Sequence, residues 1–197
     1  MRFWRPTFQT ARGALVTGVL LGTVLYSVLI VWHACAVRRG ALPPGLGGEV
    51  SAIQELRARR LEFPAAGAAP SDLRDGFHEA RGSRLHQAVD ILAPRGTPVR
   101  AVEDGTIARL FEGPAGGISV YQFDPAERYC YYYAHLQGYA AGLHEGQEVR
   151  RSEVIGFVGT TGNAPPSTPH LHFAIFRLDE SKQWWRGTPI DPLPVLR

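Results

Sequence analysis

Two histidines separated by one residue, His170 and His172, stand in a stretch that alternates as a β-strand does. Side chains on a strand repeat every two residues, so both imidazoles are expected to point the same way. Leu171, Phe173 and Ile175 complete an apolar run, which predicts a central strand covered on both faces and two imidazoles that face a cavity. Two imidazoles in one cavity suggest a metal site. The alternative is a pair of hydrogen-bonded core histidines, because this motif is short and common.

A second candidate pair lies upstream, where His86 and Asp90 are four residues apart. Even spacing puts the two side chains on one side of an extended segment. A carboxylate and two imidazoles suit zinc, so His86, Asp90 and one histidine of the later pair would supply three protein ligands. Three protein ligands leave the fourth position open for water, as a catalytic zinc requires. The alternative is a chance spacing or a surface salt bridge.

A third candidate is His135, in the tyrosine-rich segment 131–136, which is predicted to be a strand. Tyr133 and His135 are expected to share a face of that strand. A strand histidine beside tyrosines is usually just packed, and this is the alternative for His135. The chain has no His-Glu-x-x-His motif, so the glutamate that many zinc proteases use as a base is missing.

Together and in this order, three segments resemble the LytM/lysostaphin-type zinc endopeptidases of bacterial cell walls. They are His86-x-x-x-Asp90, the strand 133–136 and His170-Leu171-His172-Phe173, with the glycine- and threonine-rich stretch 156–163 before the last. The resemblance covers about residues 76–193, and three ordered motifs are far more specific than one. The family commonly has glycine at the middle of its first motif. This chain has Ala88 there, and its small side chain is expected to preserve the geometry.

The resemblance assigns a role to each of the five residues. It implies that His86, Asp90 and His172 bind Zn²⁺, while His135 and His170 are catalytic and do not bind the metal. Zinc lowers the pKa of its bound water and polarises the scissile carbonyl. A neutral His135 or His170 is then expected to take the water's proton and, once protonated, to stabilise the oxyanion or protonate the leaving amine. The sequence leaves open which histidine does which.

The N-terminal region predicts a membrane anchor. Three arginines precede residues 13–32, which contain no acidic or basic residue and are long enough to span a bilayer. The three arginines and the amino terminus, against two arginines beyond the apolar run, favour a cytoplasmic N-terminus. We therefore expect a single-pass protein of the bacterial inner membrane with its catalytic domain in the periplasm. The alternative is a cleaved signal peptide and a mature form that begins near Ala36.

Composition divides the chain into three parts. Residues 1–39 are expected to form the anchor, residues 40–70 a flexible linker with a short helix, and residues 71–197 a LytM-like zinc peptidase domain. Ser51 and Gln54 form a capping box that predicts the helix. We expect this helix to be a stalk or a partner-contacting element.

Short strands rich in β-branched and aromatic residues dominate after residue 71. The six predicted strands are Pro98–Val102, Gly105–Phe111, Ile118–Phe123, Tyr129–Leu136, Glu153–Val158 and His170–Leu178. The connection 124–127 is predicted to join the third and fourth as a hairpin. The close spacing leaves no room for crossover helices. The predicted fold class is therefore mainly β: an antiparallel, LytM-like sheet domain that forms an open sandwich or a barrel-like structure.

Charge and cysteine content narrow the range of functions. The net charge is only +3 and the arginines are scattered, so no nucleic-acid binding is expected. Cys35 and Cys130 are not expected to pair, and neither belongs to a metal-binding Cys-x-x-Cys motif.

The leading hypothesis is a membrane-anchored zinc endopeptidase that hydrolyses stem or cross-link peptides of peptidoglycan, a substrate class that the resemblance implies. A regulatory protein is left open as a further partner. The alternative from another class is a catalytically inactive, LytM-like scaffold that binds or activates another wall hydrolase. A third interpretation, a peptidoglycan-binding module, would need a structural zinc. All five site residues are present, which favours the enzyme.

Overall fold

A computed structural model describes residues 46–82 and 84–197 of the chain. The described residues from Glu49 to Arg197 form one compact unit, the sheet unit. The predicted anchor, residues 13–32, lies outside the described residues and stays a prediction. Within the described residues, no helix has the length and apolar character needed to cross a membrane.

Strands dominate the described part of the chain. In order, the elements are α1 (Leu46–Arg59), a 3-10 turn (Pro70–Asp72), β1 (Leu73–Asp75), β2 (Ala80–Arg81), β3 (Arg84–Leu85), β4 (Val89–Leu92), β5 (Pro98–Arg100), β6 (Gly105–Gly113), β7 (Gly117–Phe123), β8 (Tyr129–Tyr139), β9 (Glu148–Val149), β10 (Val154–Val158), β11 (His170–Leu178), β12 (Gly187–Ile190) and α2 (Leu193–Leu196). The prediction of a mainly β fold is confirmed.

All six strands predicted from the sequence are present, as β5 to β8, β10 and β11. The predicted hairpin joins β7 to β8, and the Glu127 amide donates to the Asp124 carbonyl at 2.9 Å within its turn. The sequence did not predict β1 to β4, β9 or β12. These strands have only two to four residues, which is too short to display a two-residue repeat.

Ten of the described strands form one sheet. Its main path is β1-β4-β11-β8-β7-β6-β9, while β10 pairs with β5 and β8, and β12 pairs with β11. The hairpin of β2 and β3 forms a separate two-stranded sheet. The strand pairs of the described residues are antiparallel, as predicted.

The central strand β11 separates the core from an open groove. Leu171, Phe173 and Ile175 are fully buried in the hydrophobic core. His172 alternates with them and lines the groove on the opposite face. The two-residue repeat of a strand therefore places apolar side chains and site histidines on different sides of the same element.

Helix α1 joins the hydrophobic core through its buried residues Ala52 and Leu56. Near its end, the Arg59 guanidinium lies 2.9 Å from a Glu103 carboxylate oxygen and 3.0 Å from one of Asp124. Both carboxylates are largely buried, and the cation compensates charges that would be costly if unpaired. The sequence predicted a stalk or partner-contacting helix here, whereas these contacts make its last two turns part of the sheet domain.

Candidate active site

Three side chains from distant parts of the chain bring potential metal ligands together. His86 Nε2 lies 2.9 Å from His172 Nδ1, and both lie close to Asp90 Oδ1, at 3.2 Å and 3.1 Å respectively. The ligand atoms of these three residues all lie within 4.8 Å of one another. They are the residues that the sequence resemblance proposed as zinc ligands.

The pairing of β4 with β11 positions two of the three. Asp90 on β4 is directly opposite His172 on β11, so their side chains meet across the strand pair. His86 lies in the connection between β3 and β4, where the Gln87 amide donates to the Phe77 carbonyl at 3.0 Å. Gln87 has a left-handed φ of 54°, so the segment from His86 to Asp90 is not uniformly extended as predicted. The two side chains nonetheless converge.

The donor set fits Zn²⁺, which binds imidazole nitrogen and carboxylate oxygen. His86 Nδ1 lies 3.2 Å from the Gly76 carbonyl, so a proton on Nδ1 donates to that oxygen and leaves the Nε2 lone pair facing Asp90 and His172. A backbone acceptor behind a metal-binding imidazole is a frequent outer contact that fixes the ring and its tautomer. His86, Asp90 and His172 are therefore the residues that would hold the ion.

Ala88, which stands where the family that the sequence resembles commonly has glycine, is fully buried between His86 and Asp90 in the chain. In the connection between β3 and β4, Gln87 has the left-handed conformation and Ala88 does not. The conformational freedom of glycine is therefore not needed at position 88, and the methyl group is accommodated.

His135 and His170 lie beside the ligand cluster. Their ring centroids are 5.0 Å apart, and the His135 ring lies 5.6 Å from that of His172. Each Nδ1 lies 2.8 Å from a backbone carbonyl, that of Thr161 for His135 and that of Thr168 for His170. Protons on these Nδ1 atoms satisfy the carbonyls, so both Nε2 atoms are left with lone pairs.

A bulge in β8 turns His135 toward the site. The sequence predicted that Tyr133 and His135 share a face, and this is wrong. Tyr133 is fully buried in the core, where its hydroxyl donates to Gln122 at 2.7 Å. His135 has a φ of 60°, and the register between β7 and β8 shifts beside it. The extra residue breaks the alternation and sends the imidazole to the groove.

The carbonyl that orients His135 belongs to a closely packed loop. Gly117 and Gly162 have φ values of 61° and 71°, and a Cβ on either would collide with the backbone of the other. The Thr161 hydroxyl between them donates to the Leu136 carbonyl at 2.7 Å. Glycines at both positions therefore let the loop approach β8 closely enough for the Thr161 carbonyl to reach His135.

The electrostatics of the cluster favour an ionised Asp90 and neutral rings at His172 and His135. Burial opposes ionisation of Asp90, but the close imidazoles of His172 and His86 outweigh burial and hold its pKa well below its usual range. Burial lowers the pKa of His172, although its hydrogen bond to Asp90 opposes this shift. Burial, reinforced by the two neighbouring imidazoles, lowers the pKa of His135 to about 4. His135 is therefore neutral near pH 7 and can accept a proton.

Arg81 is a site residue that the sequence analysis missed. Its Nη2 donates to Asp90 Oδ2 at 3.0 Å, so one carboxylate oxygen faces the arginine and the other faces the two imidazoles. Glu79 lies 3.4 Å from the same guanidinium nitrogen. The signal available in the sequence was a pair of arginines, Arg81 and Arg84, within five residues before His86, in a segment that the sequence analysis did not interpret.

The sequence of the chain is similar to those of known peptidases. Residues 84–192 match Peptidase family M23. The L-Ala--D-Glu endopeptidase of Bacillus subtilis (strain 168) is 35% identical over 132 residues, which are 63% of this chain and 39% of that protein. The DD-carboxypeptidase/endopeptidase Mpg of Neisseria meningitidis serogroup B is 41% identical over 113 residues, 57% of this chain and 23% of that protein. The matches thus span well under half of these relatives.

Two solved structures share the fold. A zinc containing peptidase from Vibrio cholerae aligns with a TM-score of 0.54 and 25% identity, over 66% of this chain and 38% of that one. The catalytic domain of the antimicrobial peptidase lysostaphin from Staphylococcus simulans aligns with a TM-score of 0.51 and 26% identity, over 73% of this chain and 96% of that domain.

Proposed function

The chain belongs to peptidase family M23, and from that membership we propose that it is a membrane-anchored zinc endopeptidase that hydrolyses peptide bonds in peptidoglycan. The names of its relatives support the substrate class: one cleaves at an L-Ala--D-Glu bond, and another is a DD-carboxypeptidase as well as an endopeptidase.

The observation that carries this proposal is the convergence of five polar side chains on one groove. His86, Asp90 and His172 offer a three-ligand set, and His135 and His170 stand beside it with free Nε2 lone pairs. A scaffold that works only by binding a partner would need neither a ligand set nor an oriented base. The inactive alternative is therefore not favoured.

The chemistry follows from the state of each side chain. A zinc ion held by His86, Asp90 and His172 would lower the pKa of a bound water and polarise the scissile carbonyl. His135 is neutral, and its Nδ1 is committed to the Thr161 carbonyl, so its Nε2 is available to accept a proton from the attacking water. His170 is oriented in the same way by the Thr168 carbonyl. The protonated imidazole can then donate to the leaving amine.

Hydrolysis is tested with the zinc-loaded full chain and purified peptidoglycan. We expect peptides to be released, and their masses identify the bond that is cut. A chelator should abolish release and added zinc should restore it, because activation of the attacking water depends on the ion. Absence of release by a preparation that metal analysis shows to contain zinc would contradict the endopeptidase proposal.

The proposed location is the bacterial inner membrane, with one span and the catalytic domain in the periplasm. Support comes from the uncharged residues 13–32 and the arginines before them. A reporter fused after Arg197 should be active only in the periplasm, and the full-length protein should stay in the membrane fraction. Cytoplasmic activity of the reporter would contradict the orientation. A soluble form that begins near Ala36 would mean that the segment is a signal peptide.

A further inference from the structure

The groove beside the candidate metal site has a cationic rim. Its volume is about 570 Å³, and its described lining includes two arginines, Arg81 and Arg84, but no carboxylate. The polar side chains of Gln87 and Asn163 also line it and carry no charge. A ligand that lies in this groove therefore meets positive charge along one edge.

The two arginines are not equivalent. They are directly opposite each other in the β2–β3 hairpin, an arrangement in which like charges destabilise the strand pair. Arg81 is compensated by Asp90 at 3.0 Å and by Glu79 at 3.4 Å. Arg84 is exposed and has no ion-pair partner among the residues that the structure describes. Its guanidinium is therefore available to an anionic ligand.

Arginine presents a planar set of donors that matches a carboxylate in a two-point contact. The hairpin ends at Leu85, directly before the proposed zinc ligand His86, so a group bound by Arg84 lies close to the proposed site of cleavage. If the groove holds a peptide, the anion that Arg84 meets is a carboxylate of that peptide.

We propose that Arg84 binds a carboxylate of the peptide substrate close to the scissile bond and so selects acidic peptides. This inference rests on the proposed peptidase function. The carboxylate has two sources, the side chain of an acidic residue and the C-terminus of the peptide. Neutralising that carboxylate as an amide removes the charge and one acceptor but keeps the shape.

The test measures binding, so that it does not depend on turnover. Three fluorescent peptides are compared, and they differ only in two groups. The first has a side-chain carboxylate and an amidated C-terminus, the second has a side-chain amide and a free C-terminus, and the third has both groups as amides. The protein is the zinc-loaded full chain in a His135→Ala background, with or without Arg84→Gln. Arg150→Gln is the matched control, because it removes an exposed positive charge that does not line this groove.

Arg84→Gln should weaken binding of at least one carboxylate peptide by about tenfold, the order expected for one charge-assisted contact at an exposed position. Binding of the fully amidated peptide should not change, and the carboxylate peptide that loses affinity identifies the source. The difference should shrink at high salt. Arg150→Gln should have no such effect.

Equal binding of the three peptides by the parent protein, or equal weakening of all three by Arg84→Gln, would overturn the inference. Zinc content is measured for each variant, so that a disturbed metal site is distinguished from a lost contact. Failure of the proposed function has a different signature: the His135→Ala chain then still binds the acidic peptide through Arg84, but the zinc-loaded chain without substitutions releases no peptide from peptidoglycan.

Discussion

A full chain with His172 replaced by alanine is expected to lose its zinc and to release no peptide from peptidoglycan. His172 Nδ1 is one of three converging atoms that can bind a metal ion, and it lies 3.1 Å from Asp90 Oδ1. Its removal leaves only two protein ligands, too few for a catalytic zinc site. Because even the loss of an outer contact to a metal ligand typically costs about 10- to 100-fold in affinity or activity, loss of a ligand should cost more than about 100-fold.

Metal analysis and peptide release decide this prediction, and circular dichroism checks that the sheet is intact. His86→Ala and Asp90→Asn should behave in the same way. His144→Ala is the matched control, because His144 is an exposed histidine outside the ligand cluster. Retention of stoichiometric zinc by the His172→Ala variant would show that the ligand roles have been assigned wrongly. So would a His135→Ala variant that loses its metal.

A His135→Ala chain is expected to keep its zinc and to hydrolyse peptides about 100- to 10,000-fold more slowly, the usual contribution of a positioned acid–base group. The neutral His135 ring lies beside the ligand cluster without a ligand atom in it. Its φ of 60° adds strain for alanine. His135→Asn is therefore the better-matched second variant, because asparagine tolerates the left-handed conformation.

The same variants separate an enzyme from a scaffold. A scaffold needs only its surface, so a folded, zinc-bound His135→Asn protein would support normal wall growth in cells if the chain acted by binding another hydrolase. We expect growth to fail, because a wall enzyme slowed by about 100-fold or more could not keep pace. Normal growth of the variant, together with no peptide release by the parent chain, would favour the scaffold.

Local sequence determined the strands that are long enough to show their own period. The alternation along β11 predicted that His170 and His172 share a side and face a cavity, and the apolar run predicted a central strand. The three ordered motifs also identified the family, because each depends only on residue type and spacing. These features are encoded within single segments, so no knowledge of distant residues was needed to find them.

Only the tertiary structure decided how those segments meet. The register that places Asp90 opposite His172 joins residues far apart in the chain, and so does the contact of Arg81 with Asp90. The turn of His135 toward the groove depends on a bulge, and a strict two-residue repeat predicts the wrong face there. Local periodicity is a property of one strand, whereas register, bulges and loop contacts are set by the packing of several strands and cannot be read from any one of them.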